Sequence, residues 1–436
     1  VPRRKRARAI VGMCALAMTA AVGLSACGGS DTGAGNQLNW YINPDSGGND
    51  PNASGQAHLA KVCTDASNGA YSIRTQVLPN SASDQRQQLL RRLAAGDRGV
   101  DMMSLDPVFV AEFAQAGFLA GVPQDKQAAL TEDAVQPIID SAQWAGSMYA
   151  APMWANTQVL WYRKSVAEAA GLDMSQPVTW DQIIEAAKAQ NKTVGVQARR
   201  YEGYAVWINA LVEGAGGHII NNMGEQDVDK IEWGLDSDAG REAARVIAEV
   251  SSTGVGGPAM GGSDETAALD LFLGNSSGFL LNWPYVWAAL DDRAPQLKDD
   301  VAWARYPQTV QGQESKPPLG GIELGVAAAS QKQELAWQAI QCVTSQENQK
   351  KYMLGTGNPA ARKAVYDDPE IREVFPMADL IRESLDSGAP RPVSQFYGDI
   401  SGALQRSFSP PNEVNENTPA EAQGLIERVL KGESLL

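Results

Sequence analysis

From Leu38 onward the chain alternates short apolar runs with stretches whose apolar residues recur at helical spacing, and this alternation restricts the fold sharply. Leu38–Ile42, Tyr71–Leu78 and Val100–Leu105 read as strands. Between them lie a helix through His58, Leu59, Val62 and Cys63, and another, capped by Ser83, in which Leu89, Leu90 and Leu93 share a face. Strands alternating with helices predict an α/β lobe. The middle is more helical: Thr179-Trp180-Asp181 opens one helix, and Asp238–Ser251 and Glu265–Leu273 form others. Ser277–Leu281, Val301–Tyr306 and Leu319–Val326 read as further strands, and helices dominate after Gln333, broken at Pro390-Arg391-Pro392 and Pro410-Pro411. At 436 residues the chain exceeds one core of about 100 to 200 residues, so two lobes are expected.

Ahead of that body stand a basic opening (Arg3, Arg4, Lys5, Arg6, Arg8), an apolar run Ala9–Leu24, and Leu24-Ser25-Ala26-Cys27. This is the layout of a secretory leader, and its exit has the pattern of a bacterial lipobox. Residues 1–26 are therefore expected to be a signal peptide, Cys27 a lipidated first residue, and 27–37 a flexible tether of Gly, Ser, Asp and Asn. Removing the leader's five basic residues takes the formal charge from −15 to −20, a poor surface for nucleic acid or anionic lipid. Cys14 leaves with the leader, and Cys63 and Cys342 remain as an even pair in an oxidising compartment, for which a disulfide is expected.

Catalytic signatures are sparse. Histidine occurs only at His58 and His218, which removes a zinc helix of the H-E-x-x-H type and leaves little for a Ser-His-Asp triad. There is no Gly-Lys dipeptide for a phosphate-binding loop. Carboxylates are plentiful, so a glycosidase pair stays open.

Aromatic residues carry more information. Eleven tryptophans are present, and Trp154 and Trp283 stand within Pro152-Met153-Trp154-Ala155-Asn156 and Asn282-Trp283-Pro284-Tyr285. Rings beside fixed polar groups suit the C–H faces and hydroxyl rims of sugars, although core packing explains any one Trp as well. Asp106 follows a buried strand directly, where open α/β sheets bind ligands, or it caps the next helix. Arg86 shares the inward side of its helix with Leu89 and Leu90 and so needs an acceptor, either a carboxylate such as Asp106 or a sugar hydroxyl. Arg391 lies between two prolines that stiffen its loop, ready for a ligand or a salt bridge.

In order and spacing, these segments resemble the extracellular sugar-binding subunits of ATP-driven importers, specifically the trehalose/maltose-binding branch. The stretches that carry the likeness are Ser104-Leu105-Asp106-Pro107-Val108-Phe109, Ala151–Asn156 running into Leu160-Trp161-Tyr162-Arg163-Lys164, Asn282–Tyr285, Leu319-Gly320-Gly321, and Arg391-Pro392 before Phe396-Tyr397. The resemblance implies a two-lobed periplasmic-binding-protein-like α/β fold, with residues 38–148 plus 311–365 in the first lobe and 149–310 plus 366–436 in the second. It further implies that Asp106, Asn156 and Arg391 hydrogen-bond hydroxyls, that Trp283 stacks on a glucose ring with Tyr285 beside it, and that Arg86, Trp154, Gly321 and Ile322 line the remainder. Relatives often carry Asp at the position of Asn156 and an aromatic at that of Ile322. The first loop lacks a relative's glutamate, for which Asn43, Asp45 or Asn49 substitutes.

The function so implied is a membrane-anchored receptor on the extracytoplasmic face that delivers trehalose to an ABC permease with its cytoplasmic ATPase. A monomer is expected, with no catalysis, metal or cofactor. A maltodextrin, a glycerophosphodiester or a secreted glycosidase are the alternatives.

Overall fold

The computed structural model describes residues 35–436. The leader, Cys27 and most of the expected tether lie outside them. The strands are β1 Gln37–Ile42, β2 Ser72–Val77, β3 Met102–Leu105, the short pair β4 Gln143–Trp144 and β5 Ser147–Met148, β6 Ala150–Thr157, β7 Val159–Arg163, β8 Thr193–Gly195, β9 Ser277–Asn282, β10 Val301–Ala304 and β11 Leu319–Val326. They form two main sheets, one per lobe: β2-β1-β3-β11-β6 in the first and β10-β7-β9-β8 in the second. β1 pairs parallel with β2 and β3, while β11 runs antiparallel between β3 and β6, with Glu323 opposite Leu105.

Burial follows from these positions. β3 and β6 are buried along their whole length because helices cover both faces of the sheet. β2, at the edge, carries Ser, Arg, Thr and Gln and stays half-exposed, which discourages pairing with another chain.

Helix starts obey local chemistry. Thr179 and Gln182 exchange hydrogen bonds in a capping box at the head of Trp180–Ala189, and Ser237 caps Asp238–Ser252. In the latter, Ala239, Ala243, Ala244, Val246, Ile247 and Val250 form the buried stripe that the spacing predicts.

Three cores hold the molecule. One lies on the first sheet, where Trp40, Met102, Leu324 and Val326 meet Leu59, Leu89, Phe113 and Trp337. A second packs Trp180, Trp207, Ile247 and Phe279 against Ile400, Leu404 and Ile426 of the C-terminal helices. The third straddles both sheets: Ala155 and Leu319 from the first join Trp161, Leu280 and Val301 from the second, closed by Tyr366, Ile371, Ile381 and Leu385. The expected disulfide is present, joining Cys63 of helix Gln56–Ala66 to Cys342 of helix Gln333–Val343 with Cα atoms 5.8 Å apart.

The chain passes between lobes at Gln158, between β10 and β11, and again between helices Ala378–Asp386 and Tyr397–Ser407. Two expected boundaries shift accordingly. β6 belongs to the first sheet, so the first crossing falls after Thr157 and not at residue 149. Helices Pro369–Val374 and Ala378–Asp386 pack on the shared third core and not wholly within the second lobe. The last two crossings are tied together, since Leu319 N donates to Ala389 O at 3.2 Å.

Candidate functional site

A cavity of ≈ 710 Å³ opens between the lobes. Its first wall is made mostly of strand ends, with Asn80, Ser81, Ala82, Asp84 and Gln85 at the head of helix Ala82–Ala94 beside them. Asn43 and Pro44 follow β1, Asp106 follows β3, Trp154 and Asn156 lie on β6, and Gly320, Gly321 and Ile322 open β11. Because β11 is antiparallel to β3, its beginning meets the carboxyl end of β3, the end at which open α/β sheets receive ligands. Two glycines make that wall possible. Gly321 has φ +126°, and a Cβ there would come within 2.2 Å of the Trp154 carbonyl oxygen. At Gly320 a Cβ would press on the Trp283 ring at 3.2 Å, so glycine lets the indole close over the strand.

The second wall is made of helix starts: Tyr201-Glu202-Gly203 heading helix Glu202–Gly214, Asp264-Glu265-Thr266 heading helix Glu265–Leu273, and Tyr285 heading helix Tyr285–Arg293 beside Trp283. Asp264 caps its helix by accepting from Ala267 N at 3.0 Å. The Glu265 carboxyl is flanked by Tyr201 and Trp283; burial raises its pKa, and the nearby charge of Asp264 adds to the rise.

Arg391 joins the walls. Its guanidinium, 3% exposed, donates to Asp106 Oδ1 at 2.8 Å and to Glu202 Oε1 at 2.6 Å. Glu202 also accepts from Tyr397 and from Ser401 Oγ at 2.6 Å, so that carboxylate is fully used within the protein. Arg391 Nε and Trp154 Nε1 are buried donors without a partner among the described residues, and both residues line the cavity. A ligand acceptor would relieve the cost of leaving such donors bare, about 1 to 3 kcal/mol each.

Asn43, Asp106, Trp154, Asn156, Trp283, Tyr285, Gly321, Ile322 and Arg391, all singled out from sequence, line this one cavity. Asp106 satisfies both readings of its position, facing the cleft while accepting from Val108 N at 3.3 Å. Three candidates fall outside the lining. Asp45 is consumed by its own loop, accepting from Gly47 N and Gly48 N at 3.1 Å, from Gln56 N at 2.7 Å and from Tyr352 Oη at 3.3 Å. Arg86 forks onto both oxygens of Glu112, so the acceptor it requires is neither Asp106 nor a ligand. Asn49 likewise stays outside and accepts from Thr75 Oγ1. Arg199, Tyr201, Glu202, Asp264, Glu265 and Asn358 line the cleft without having been foreseen. For 199–203 a signal existed, since they follow the carboxyl end of β8.

Two α/β lobes joined by three crossing segments, with a polar and aromatic cleft between them, define a periplasmic-type solute receptor. Residues 69–350, more than half of the chain, match the bacterial extracellular solute-binding protein family, and the chain belongs to it. It is 24% identical over 344 residues to a probable ABC transporter-binding protein of Deinococcus radiodurans, covering 74% of this chain and 77% of that one. A probable amino-acid ABC transporter periplasmic-binding protein of Sinorhizobium fredii is 22% identical over 383 residues, covering 83% and 84%. Among solved structures, maltose-bound T. maritima MalE3 superposes with a TM-score of 0.76 at 23% identity, covering 90% of this chain and 99% of that one. The GacH receptor of Streptomyces glaucescens gives 0.73 at 18% identity, covering 91% and 98%. These likenesses establish the fold, and the relatives are named as binding proteins.

Proposed function

We propose that this chain is the receptor subunit of an ABC sugar importer, held outside the membrane through a lipid on Cys27, and that it takes trehalose or a close α-glucoside into the interlobe cleft for delivery to a permease. The observation that carries the reading is the lining itself. Trp154, Trp283, Tyr201 and Tyr285 offer ring faces, while Asn156, Asp106, Asn358 and the unpartnered Trp154 Nε1 and Arg391 Nε offer fixed polar contacts. That combination matches a sugar's apolar faces and hydroxyl rim. Solved neighbours described with maltose, acarbose and ribitol bound support a polyhydroxylated ligand.

Closure follows from differential affinity, because a sugar touching both walls stabilises the shut form and one touching a single wall shifts nothing. A disaccharide of roughly twenty-three heavy atoms at about 0.3 kcal/mol each gains near 7 kcal/mol, an affinity around micromolar. That strength suits capture followed by release. Titration calorimetry with trehalose, maltose, ribitol and an amino acid mixture tests the proposal. Trehalose is expected to bind most tightly, with no glucose released on long incubation. Tight binding of an amino acid with none of trehalose would refute the specificity.

A further inference from the structure

The charges of the cleft do not balance. Five carboxylates, those of Asp84, Asp106, Glu202, Asp264 and Glu265, face two guanidiniums, those of Arg199 and Arg391. Both cations are already committed, Arg391 to Asp106 and Glu202 and Arg199 to Asp264 at 2.7 Å. Among the described residues, Asp84 and Glu265 are left without a basic partner at ion-pair distance.

The two differ in surroundings. Asp84 is exposed at the rim, where water serves it. Glu265 is half-buried among the Tyr201, Trp283 and Tyr285 side chains, and no basic group reaches its carboxyl among the described residues. Ring faces around a carboxylate that lacks a counter-charge form a receptor for a cation.

Helix ends do not reverse this. The starts of helices Glu202–Gly214 and Glu265–Leu273 point positive ends at the cleft, which alone would favour an anion. Each is already answered by the chain's own acid, Glu202 in the first turn of one and the Asp264 cap on the other.

We propose that the cleft selects its sugar by charge: amino-substituted glycosides seat their ammonium against Glu265 among the three rings and bind more tightly than their neutral parents, and phosphorylated sugars are rejected. This deepens the sugar-receptor reading and rests on it. The sign also separates the chain's ligands from glycerophosphodiesters, whose phosphate would meet Asp84 and Glu265 and, among the described lining residues, no unpaired cation.

The test is calorimetry on the full chain with trehalose, its 6-amino-6-deoxy derivative and its 6-phosphate, repeated with maltose and the corresponding derivatives. The amine is expected to bind at least about threefold tighter than the neutral sugar and the phosphate at least about a hundredfold weaker, with both gaps narrowing as salt is raised. Glu265→Gln should bring the ratio of amine to neutral affinity to one. Equal or weaker binding of the amine by the unmodified protein, or phosphate binding within about tenfold of neutral, overturns the inference while leaving the sugar reading standing. Binding of the amines with none of either neutral disaccharide supports it and overturns trehalose as the ligand. No binding of any of the six overturns both.

Discussion

The two walls of the cleft are built differently. The first presents the ends of β1, β3, β6 and β11, whose positions are fixed by ladders and by a core on both faces of the sheet. The second presents the starts of three helices, where side chains project from a first turn with its amide groups turned toward the ligand. Two acids differ across the cleft. Asp106 on the first wall has its counter-ion in Arg391, whereas Glu265 on the second has no basic partner at ion-pair distance among the described residues. The acid at the strand ends is thus paired while Glu265 opposite it is not, and selectivity is expected to reside mainly in the second wall.

Substitutions can break that comparison. The largest effect is expected at Arg391, which belongs to both walls: Arg391→Ala leaves the buried carboxylate of Glu202 and the half-buried one of Asp106 without a counter-charge. Loss of a buried partner costs about 3 to 5 kcal/mol, so denaturant melts should show a large drop in midpoint together with weakened sugar binding. A midpoint unchanged from the parent would show that the two walls are not pinned through this residue.

Trp283→Ala comes next, since it strips the stacking face of the second wall without breaking an ion pair. Affinity for trehalose should fall at least about tenfold, or about 1.4 kcal/mol, with the melting midpoint nearly kept. Affinity equal to that of the parent would move the sugar off this wall.

Smaller and dependent on pH is the effect at Glu323, which backs the first wall. This residue is fully buried; desolvation raises its pKa well above 4.5, Asp106 adds to the rise, and one hydrogen bond from Ser141 Oγ at 2.7 Å only partly offsets it. A folded-state pKa above the unfolded value gives a stabilising contribution that is complete at low pH and lost as pH rises through the folded value. Glu323→Gln cannot ionise, so its stability relative to the parent should grow as pH increases from about 4.5 upward. Parallel stability profiles for the two proteins would contradict the buried acid.

The smallest effect on binding belongs to Arg86→Ala. Its guanidinium is occupied by Glu112 and does not line the cleft, so trehalose affinity should stay within about twofold while stability falls. A tenfold loss of affinity would return Arg86 to the site.

What could be read from sequence divides by residue type. Asp106 was legible because a buried run stops and Asp-Pro follows, and Arg391 because two prolines hold its loop. Trp283 and Tyr285 were legible as rings beside Asn and Pro. Tyr201, Glu202 and Glu265 were not, because an acid at a helix start reads as ordinary dipole compensation, and only the tertiary fold brings those starts to one cavity.

Arg86 shows the converse error. Helical spacing reports that a side chain points inward but not which neighbour meets it, and Glu112 lies on another helix. The lobe boundary was misplaced for a related reason, since β6 and β7 are both buried and composition does not change at Gln158.

The central claim is that one ligand is held by both walls at once. A crystal structure of the protein grown with trehalose tests it most directly. The account predicts the disaccharide within hydrogen-bond reach of Asp106 or Asn156 on one side and of Glu265 on the other, with a glucose ring against Trp283. A sugar bound to a single wall, or outside the interlobe cavity, would contradict it.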